Sequence, residues 1–158
     1  MIIDHEICIL NGDLNYRIDV IGRDSILRAI RENNLARLLE RDQLLVSRKM
    51  NPGFRLRAFR EAAITFAPTY KYDVASDKYD TSDKKRAPAW CDRILYRGPR
   101  IEQLTYQRHE LRASDHRPVS ALFKFKVKSI SEKQQEQTWK RCEKDFESIK
   151  ARIALNTK

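Results

Sequence analysis

Apolar and polar positions alternate most regularly near the end of the first 130 residues. Val119, Ala121, Phe123, Phe125 and Val127 fall on one side of an extended chain. Ser120, Lys124, Lys126 and Lys128 fall on the other, with Leu122 the exception. A period of two predicts a strand with one buried face. Shorter apolar runs predict further strands at Glu6 to Leu10, Ala63 to Phe66, Arg93 to Tyr96 and Ile101 to Gln107. Asn11-Gly12-Asp13 predicts a loop after the first of these, Asn51-Pro52-Gly53 a turn, and Gly98-Pro99 a break. Between the first two strands the period changes. Ile26, Leu27 and Ile30 recur at helical spacing behind a cap at Asp24 or Ser25, and Leu35, Leu38 and Leu39 continue it in a further helical segment. A long polar loop is expected from Ala67 to Ala87.

The tail has its own period. Ser131 and Gln134 form a capping-box pattern, and Trp139, Cys142, Phe146, Ile149 and Ile153 step by three and four. An amphipathic helix of several turns is expected there. Packing on its own domain, on a partner helix or on a membrane surface are the three uses open to it. The expected division is 1–128 for the main domain and 129–158 for the helical tail.

Composition changes this picture in two respects. A hydrophobic content of 41% over 158 residues suits one domain with a core, and no apolar run is long enough to span a bilayer. MIIDHEICIL has neither a basic region nor a small-residue cleavage site, so no secretory signal is expected. Cys8, Cys91 and Cys142 are odd in number and far apart, which favours free thiols over disulfides or a zinc site. The net charge of +10 favours an anionic partner: nucleic acid, an anionic membrane surface or a phosphorylated small ligand. A solubilising surface would account for it equally. From Lys124 to Lys158 ten Lys/Arg face five Asp/Glu, so half of the excess lies in the last strand and tail.

Candidate chemistry sits in four stretches. In GDLNYR, Asp13 and Asn15 point to one side of an extended chain. A carboxylate able to take a proton from water beside an amide able to donate to a phosphoryl oxygen suits hydrolysis, although an Asx turn explains the same residues. In PTYKYD, Tyr70 and Lys71 offer a hydroxyl and an ammonium to phosphate. DKKRAPAW adds Lys84, Lys85 and Arg86; a solvated charged loop is the plain alternative for both. In RAPAWCDRIL, Asp92 lies between a tryptophan and an apolar run, where an acid needs a partner. In SDHRPV, Asp115 and His116 precede the alternating strand, and a histidine paired with acids is a better catalytic candidate than a lone one.

GDLNYR, PTYKYD, RAPAWCDRIL and SDHRPVSALF in this order resemble the inositol polyphosphate 5-phosphatases, within the wider endonuclease/exonuclease/phosphatase superfamily. The likeness runs from about Ile7 to Val127 and looks nearest to the type II enzymes. Tyr79 stands where many relatives have Trp, and Ala62 where a Gly is common. The resemblance implies an α/β (α+β) chain forming the C-terminal half of a DNase I-like two-sheet sandwich flanked by helices. It implies that Asp92 orients His116, which presents its other nitrogen to the scissile phosphate. It also implies that Asp13 orients and deprotonates the attacking water, that Asn15 contacts the phosphoryl group, and that Asp115 lies near Mg²⁺. Tyr70, Lys71, Lys84 and Arg86 would grip a neighbouring 4-phosphate, and Arg17 would touch substrate or brace the loop.

The implied activity is Mg²⁺-dependent removal of the 5-phosphate from a phosphoinositide lipid or soluble inositol polyphosphate. The implied setting is cytoplasmic and peripheral at membranes, with no nucleic acid partner. The resemblance also implies that the other half of the family's catalytic domain, with a metal-binding glutamate, must complete the site. By that reading the chain alone turns over poorly, and the apolar face of its last strand meets water. Three alternatives remain open at this point: a nuclease of the same superfamily, a non-catalytic module binding phosphoinositide membranes, and a basic α/β domain without a site.

Overall fold

A computed structural model describes residues 4–156, with the side chains of the last two left aside. The chain divides into two compact units, Met1–Phe125 and Lys126–Lys158.

The first unit mixes helices with two small antiparallel sheets. β1 (Cys8–Asp13) pairs with β2 (Asp92–Arg97), in register from Cys8 opposite Arg97 to Asp13 opposite Asp92. β3 (Ile101–Arg108) pairs with β4 (Val119–Phe125), with one irregularity between Gln103 and Thr105. Tyr96 of β2 and Phe123 of β4 meet edge to face at 5.3 Å, joining the two sheets. α1 (Arg23–Arg31), α2 (Leu35–Leu39), α3 (Gln43–Met50) and a 3-10 turn at Arg55–Ala58 fill the connection after β1.

Several boundaries differ from the sequence expectations, each for a tertiary reason. β1 runs through Asn11-Gly12-Asp13 because β2 supplies ladder partners there, and Gly12 adopts φ 144°, a conformation open to glycine. α1 begins one residue before Asp24, with Gly22 as its N-cap and no side-chain cap bond. Asp24 and Ser25 therefore lie inside the helix. Ala63 to Phe66 forms no strand; the nearest bridge pairs Arg60 with Tyr96. α3 has no clear apolar period of its own and is held by its cap, since Asp42 Oδ1 accepts from the Leu45 amide at 3.0 Å.

The main core gathers Ile18, Ile26, Leu38, Ile64, Trp90 and Ile94 between α1, α2 and the sheets. Trp90 is fully buried and donates its indole N–H to the Phe66 carbonyl at 2.9 Å. Val119, Ala121 and Phe123 of β4 pack against this core. The buried face expected for that strand stops there: Phe125 is 52% exposed and Val127 74%.

Arg93 is buried without any solvent contact, yet every part of its guanidinium is satisfied. Nη1 donates to both Asp42 oxygens at 2.9 Å, Nε to Glu61 Oε1 at 2.7 Å and Nη2 to Glu61 Oε2 at 2.8 Å. Burial pushes the Asp42 carboxyl up while the guanidinium opposes that rise. β2 is thereby bolted to the start of α3. Such a cluster contributes little net stability over an apolar core, but removing one partner strands the remaining charges.

The second unit contains α4 (Glu132–Asn156), in whose first turn the Gln134 backbone N–H donates to the Ser131 hydroxyl oxygen at 3.5 Å. Trp139, Phe146, Ile149 and Ile153 are exposed on it. Among the described residues no helix is long and apolar enough to cross a membrane.

Candidate active site

Alternation along β2 explains why neighbouring residues take opposite roles. Arg93 points into the core, so Asp92 points the other way, level with its ladder partner Asp13 at the end of β1. The segment before β4 then brings His116 between them. His116 Nδ1 lies 2.9 Å from Asp92 Oδ2, and its Nε2 lies 4.0 Å from Asp13 Oδ2. A carboxylate can only accept, so Nδ1 carries the proton of the shorter bond. The two acids differ in setting: the Asp92 side chain is 17% exposed and that of Asp13 50%.

Asp92 is itself held. Thr69 is fully buried and donates its hydroxyl to the same Asp92 Oδ2 at 2.7 Å. Sequence reasoning did not single out Thr69; its place in PTYKYD, next to Tyr70, was the available signal. The segment is anchored from behind by stacked Tyr72 and Tyr79, 4.2 Å apart, whose hydroxyls both donate to the Pro68 carbonyl. Arg108 donates to the Ala67 and Pro68 carbonyls, and the buried Arg117 lies 4.0 Å over the Tyr72 ring.

Tyr70 is the hub of the cationic side. Its ring is tilted against His116 at 4.7 Å, the Arg17 guanidinium lies over it at 4.4 Å, and its hydroxyl accepts from Arg86 Nη1 at 2.8 Å. Arg17 also donates to Asn15 Oδ1, which leaves the amide N–H₂ of Asn15 as a donor. Asn15 sits in the left-handed region at φ 57°, and its backbone N–H donates to Asp13 Oδ1 at 2.8 Å. An Asx turn therefore places the Asn15 amide beside Asp13 and Arg17. Arg17, Ile18 and Arg86 to Ala89 line a cavity of about 410 Å³ beside this group.

Lys71 and Asp115 form an ion pair at 2.6 Å, with Asp115 also accepting from Ser114 Oγ. The pair raises Lys71 and holds Asp115 below the usual carboxylate range. Lys84 is exposed on its loop, and among the described residues no hydrogen bond or ion pair joins it to the group around Tyr70. Cys91 is buried beside Asp92, and burial pushes its thiol up to about 12, so it is no nucleophile at neutral pH.

The fit to a metal is poor. Among the described residues no three His, Cys, Asp or Glu side chains converge on one point, and one Asp115 oxygen is taken by the Lys71 ammonium. The residues present do not by themselves hold a divalent cation.

An imidazole flanked by two acids beside three gathered cations suits phosphate chemistry. Residues 1–122 match the model of Endonuclease/Exonuclease/phosphatase family 2. The chain belongs to that family. Its relatives within the family are inositol polyphosphate 5-phosphatases. A "probable inositol polyphosphate 5-phosphatase" of Schizosaccharomyces pombe is 58% identical, over 88% of this chain and 12% of that protein. The mouse (Mus musculus) type II inositol 1,4,5-trisphosphate 5-phosphatase is 45% identical, over 81% of this chain and 13% of that protein. The second value does not exceed the first, so similarity does not single out the type II subclass within the family. The 5-phosphatase domain of Sp-synaptojanin, solved with inositol (1,4)-bisphosphate and calcium ion, superposes with a TM-score of 0.74 at 34% identity, over 99% of this chain and 45% of that one. The chain thus spans a small part of these curated relatives and under half of the solved family domain, and it shares the family's DNase I-like fold.

Proposed function

We propose that this chain carries the histidine–aspartate portion of an inositol polyphosphate 5-phosphatase site. The observation that supports it best is His116, held through Nδ1 by Asp92 with its Nε2 facing Asp13 across 4.0 Å. That gap is too long for a direct hydrogen bond and suits an intervening oxygen.

In the proposed reaction a water oxygen forms a new bond to phosphorus while the bond to the ring 5-oxygen breaks. The ring oxygen keeps the electron pair and takes a proton from solvent to leave as the ring hydroxyl. Asp13, the more exposed acid, orients that water and takes its proton. His116 donates from Nε2 to a phosphoryl oxygen once doubly protonated, and Asp92 offsets the imidazolium charge. The Asn15 amide donates to the same phosphoryl group. Arg86 and Tyr70, with Arg17 over the ring, form the cationic wall for a phosphate on the neighbouring 4-position; Lys71 can join it by leaving Asp115. Lys84 belongs to the reading only as an exposed charge on the loop. Magnesium dependence is part of the proposal, with Asp115 the carboxylate that the family resemblance assigns to the ion, but the poor fit of these residues means that no step is assigned to it. Phosphoinositide lipid or soluble inositol polyphosphate is the substrate class, and action at an anionic membrane surface in the cytoplasm follows from the lipid form.

The test is phosphate release from phosphatidylinositol 4,5-bisphosphate and from inositol 1,4,5-trisphosphate in the presence of Mg²⁺. The chain alone is compared with the chain joined to the part of the Sp-synaptojanin domain that it does not cover. Turnover in the joined protein, lost in His116→Ala, is expected, with the chain alone far slower. A folded joined protein that binds these phosphates without releasing any would instead support a non-catalytic binding module, and release from DNA alone a nuclease.

A further inference from the structure

α4 carries Trp139, Cys142, Phe146, Ile149 and Ile153 at a strict three-four-three-four spacing. Trp139 is 74% exposed, Phe146 57% and Ile149 48%, and Cys142 is exposed as well. A three-four repeat with no wider stripe is the seam of a two-stranded coiled coil, narrower than the face of a helix packed on a globular domain.

The residues beside the seam select its partner. With Trp139, Phe146 and Ile153 at the a positions and Cys142 and Ile149 at d, Glu143 and Lys150 take e while Asp145 and Arg152 take g. In an antiparallel pair, e flanks e and g flanks g. The register that sets Phe146 against Ile149 of a second copy also sets Glu143 against Lys150 and Asp145 against Arg152 of that copy. Both pairs attract, each is made twice by the two-fold axis, and no like charges meet. A parallel pair offers only Asp145 to Lys150. Lys150 can make the new contact, because its present partners, Glu147 at 3.0 Å and the Phe146 ring at 5.0 Å, hold it weakly on the exposed surface. An anionic membrane suits the helix less well: six Lys/Arg stand against five Asp/Glu from Glu132 to Asn156, and Glu143 and Asp145 border the apolar seam.

We propose that α4 pairs antiparallel with the same helix of a second copy of this chain. The seam from Trp139 to Ile153 is short, so the association is weak and reversible.

Sedimentation of the full chain over a range of concentrations tests it. The weight-average mass is expected to rise from 18.7 kDa toward twice that value with concentration, and Ile149→Glu is expected to abolish the rise. Glu143→Lys is expected to weaken pairing, and adding Lys150→Glu to restore it, since the swapped charges still attract in the antiparallel register and repel in the parallel one. Mild oxidation of Ile153→Cys is expected to cross-link position 153 to Cys142 of the second copy. A chain that stays monomeric at every concentration would overturn the proposal, whether or not it binds anionic vesicles through α4. So would a mass rise untouched by Ile149→Glu, or a Cys142–Cys142 cross-link in the unaltered chain, which requires the parallel register.

Discussion

Asp92 and Arg93 are consecutive in β2, and each makes charged contacts, but they belong to different kinds of region. Arg93 is closed off from water and shares its guanidinium between Asp42 and Glu61, with each nitrogen bonded to a fixed oxygen. Asp92 shares one oxygen between Thr69 and His116 and keeps a partly exposed setting, and beyond His116 the group reaches Asp13 across 4.0 Å. The first constellation is closed by direct bonds; in the second, His116 and Asp13 stand too far apart for one. Completed charge networks hold a strand in position, whereas incomplete ones have capacity left for a reacting group.

The largest expected effect that separates the two comes from Asp92→Asn in the joined protein. The amide keeps the shape but cannot hold His116 in the same protonation state. Turnover should fall on the order of 10³–10⁴-fold, while thermal unfolding should shift little. Arg93→Met should do the reverse. It strands two buried carboxylates and should cost about 3–5 kcal/mol of stability, read from denaturant unfolding of the chain. A smaller effect is expected from Thr69→Val, which removes one hydrogen bond to a carboxylate that keeps its histidine. A loss of about tenfold in turnover is expected, with the dependence on substrate concentration unchanged. If Thr69→Val acted on stability as strongly as Arg93→Met, the distinction between the two regions would fail.

The smallest effect concerns acid. Asp115, held by Lys71, and Asp80, held by the Ser82 hydroxyl and the Arg86 amide, both lie below their ordinary value of 3.8. A carboxyl lowered in the folded state stabilises above its unfolded value, and that contribution is lost as the pH falls through the folded one. The loop carrying Arg86 should therefore keep its stability down to about pH 4 and lose it below. Asp115→Asn should flatten part of that fall, seen as a smaller drop in Tm between pH 5 and pH 3.

Where residues of short motifs come together in space, their grouping was legible in the sequence. Asp92 and His116 were paired from RAPAWCDRIL and SDHRPV through a family resemblance, and Asp13, Asn15, Arg17, Tyr70 and Arg86 lie in the group around them. The plain reading of GDLNYR as an Asx turn also describes the geometry, since Asn15 N–H does bond to Asp13. What escaped was set by distant partners. Arg93 meets residues 51 and 32 positions earlier in the chain, and Thr69 meets Asp92 across 23. No local pattern signals such contacts. The strand expected at Ala63–Phe66 failed for the same reason: Ile64 and Phe66 pack on the core, the Phe66 carbonyl accepts from the Trp90 indole, and the segment finds no ladder.

The claim on which the site depends is that Asp92 fixes the proton on His116 Nδ1 and leaves Nε2 to the substrate. Nitrogen-15 NMR of the His116 ring, followed across a pH titration of the folded chain and of Asp92→Asn, measures this directly. The account predicts that Nδ1 stays protonated throughout in the unaltered chain while only Nε2 gains and loses its proton, and that Asp92→Asn ends this preference. A neutral ring that carries its proton on Nε2, or a spectrum indifferent to Asp92→Asn, would contradict it.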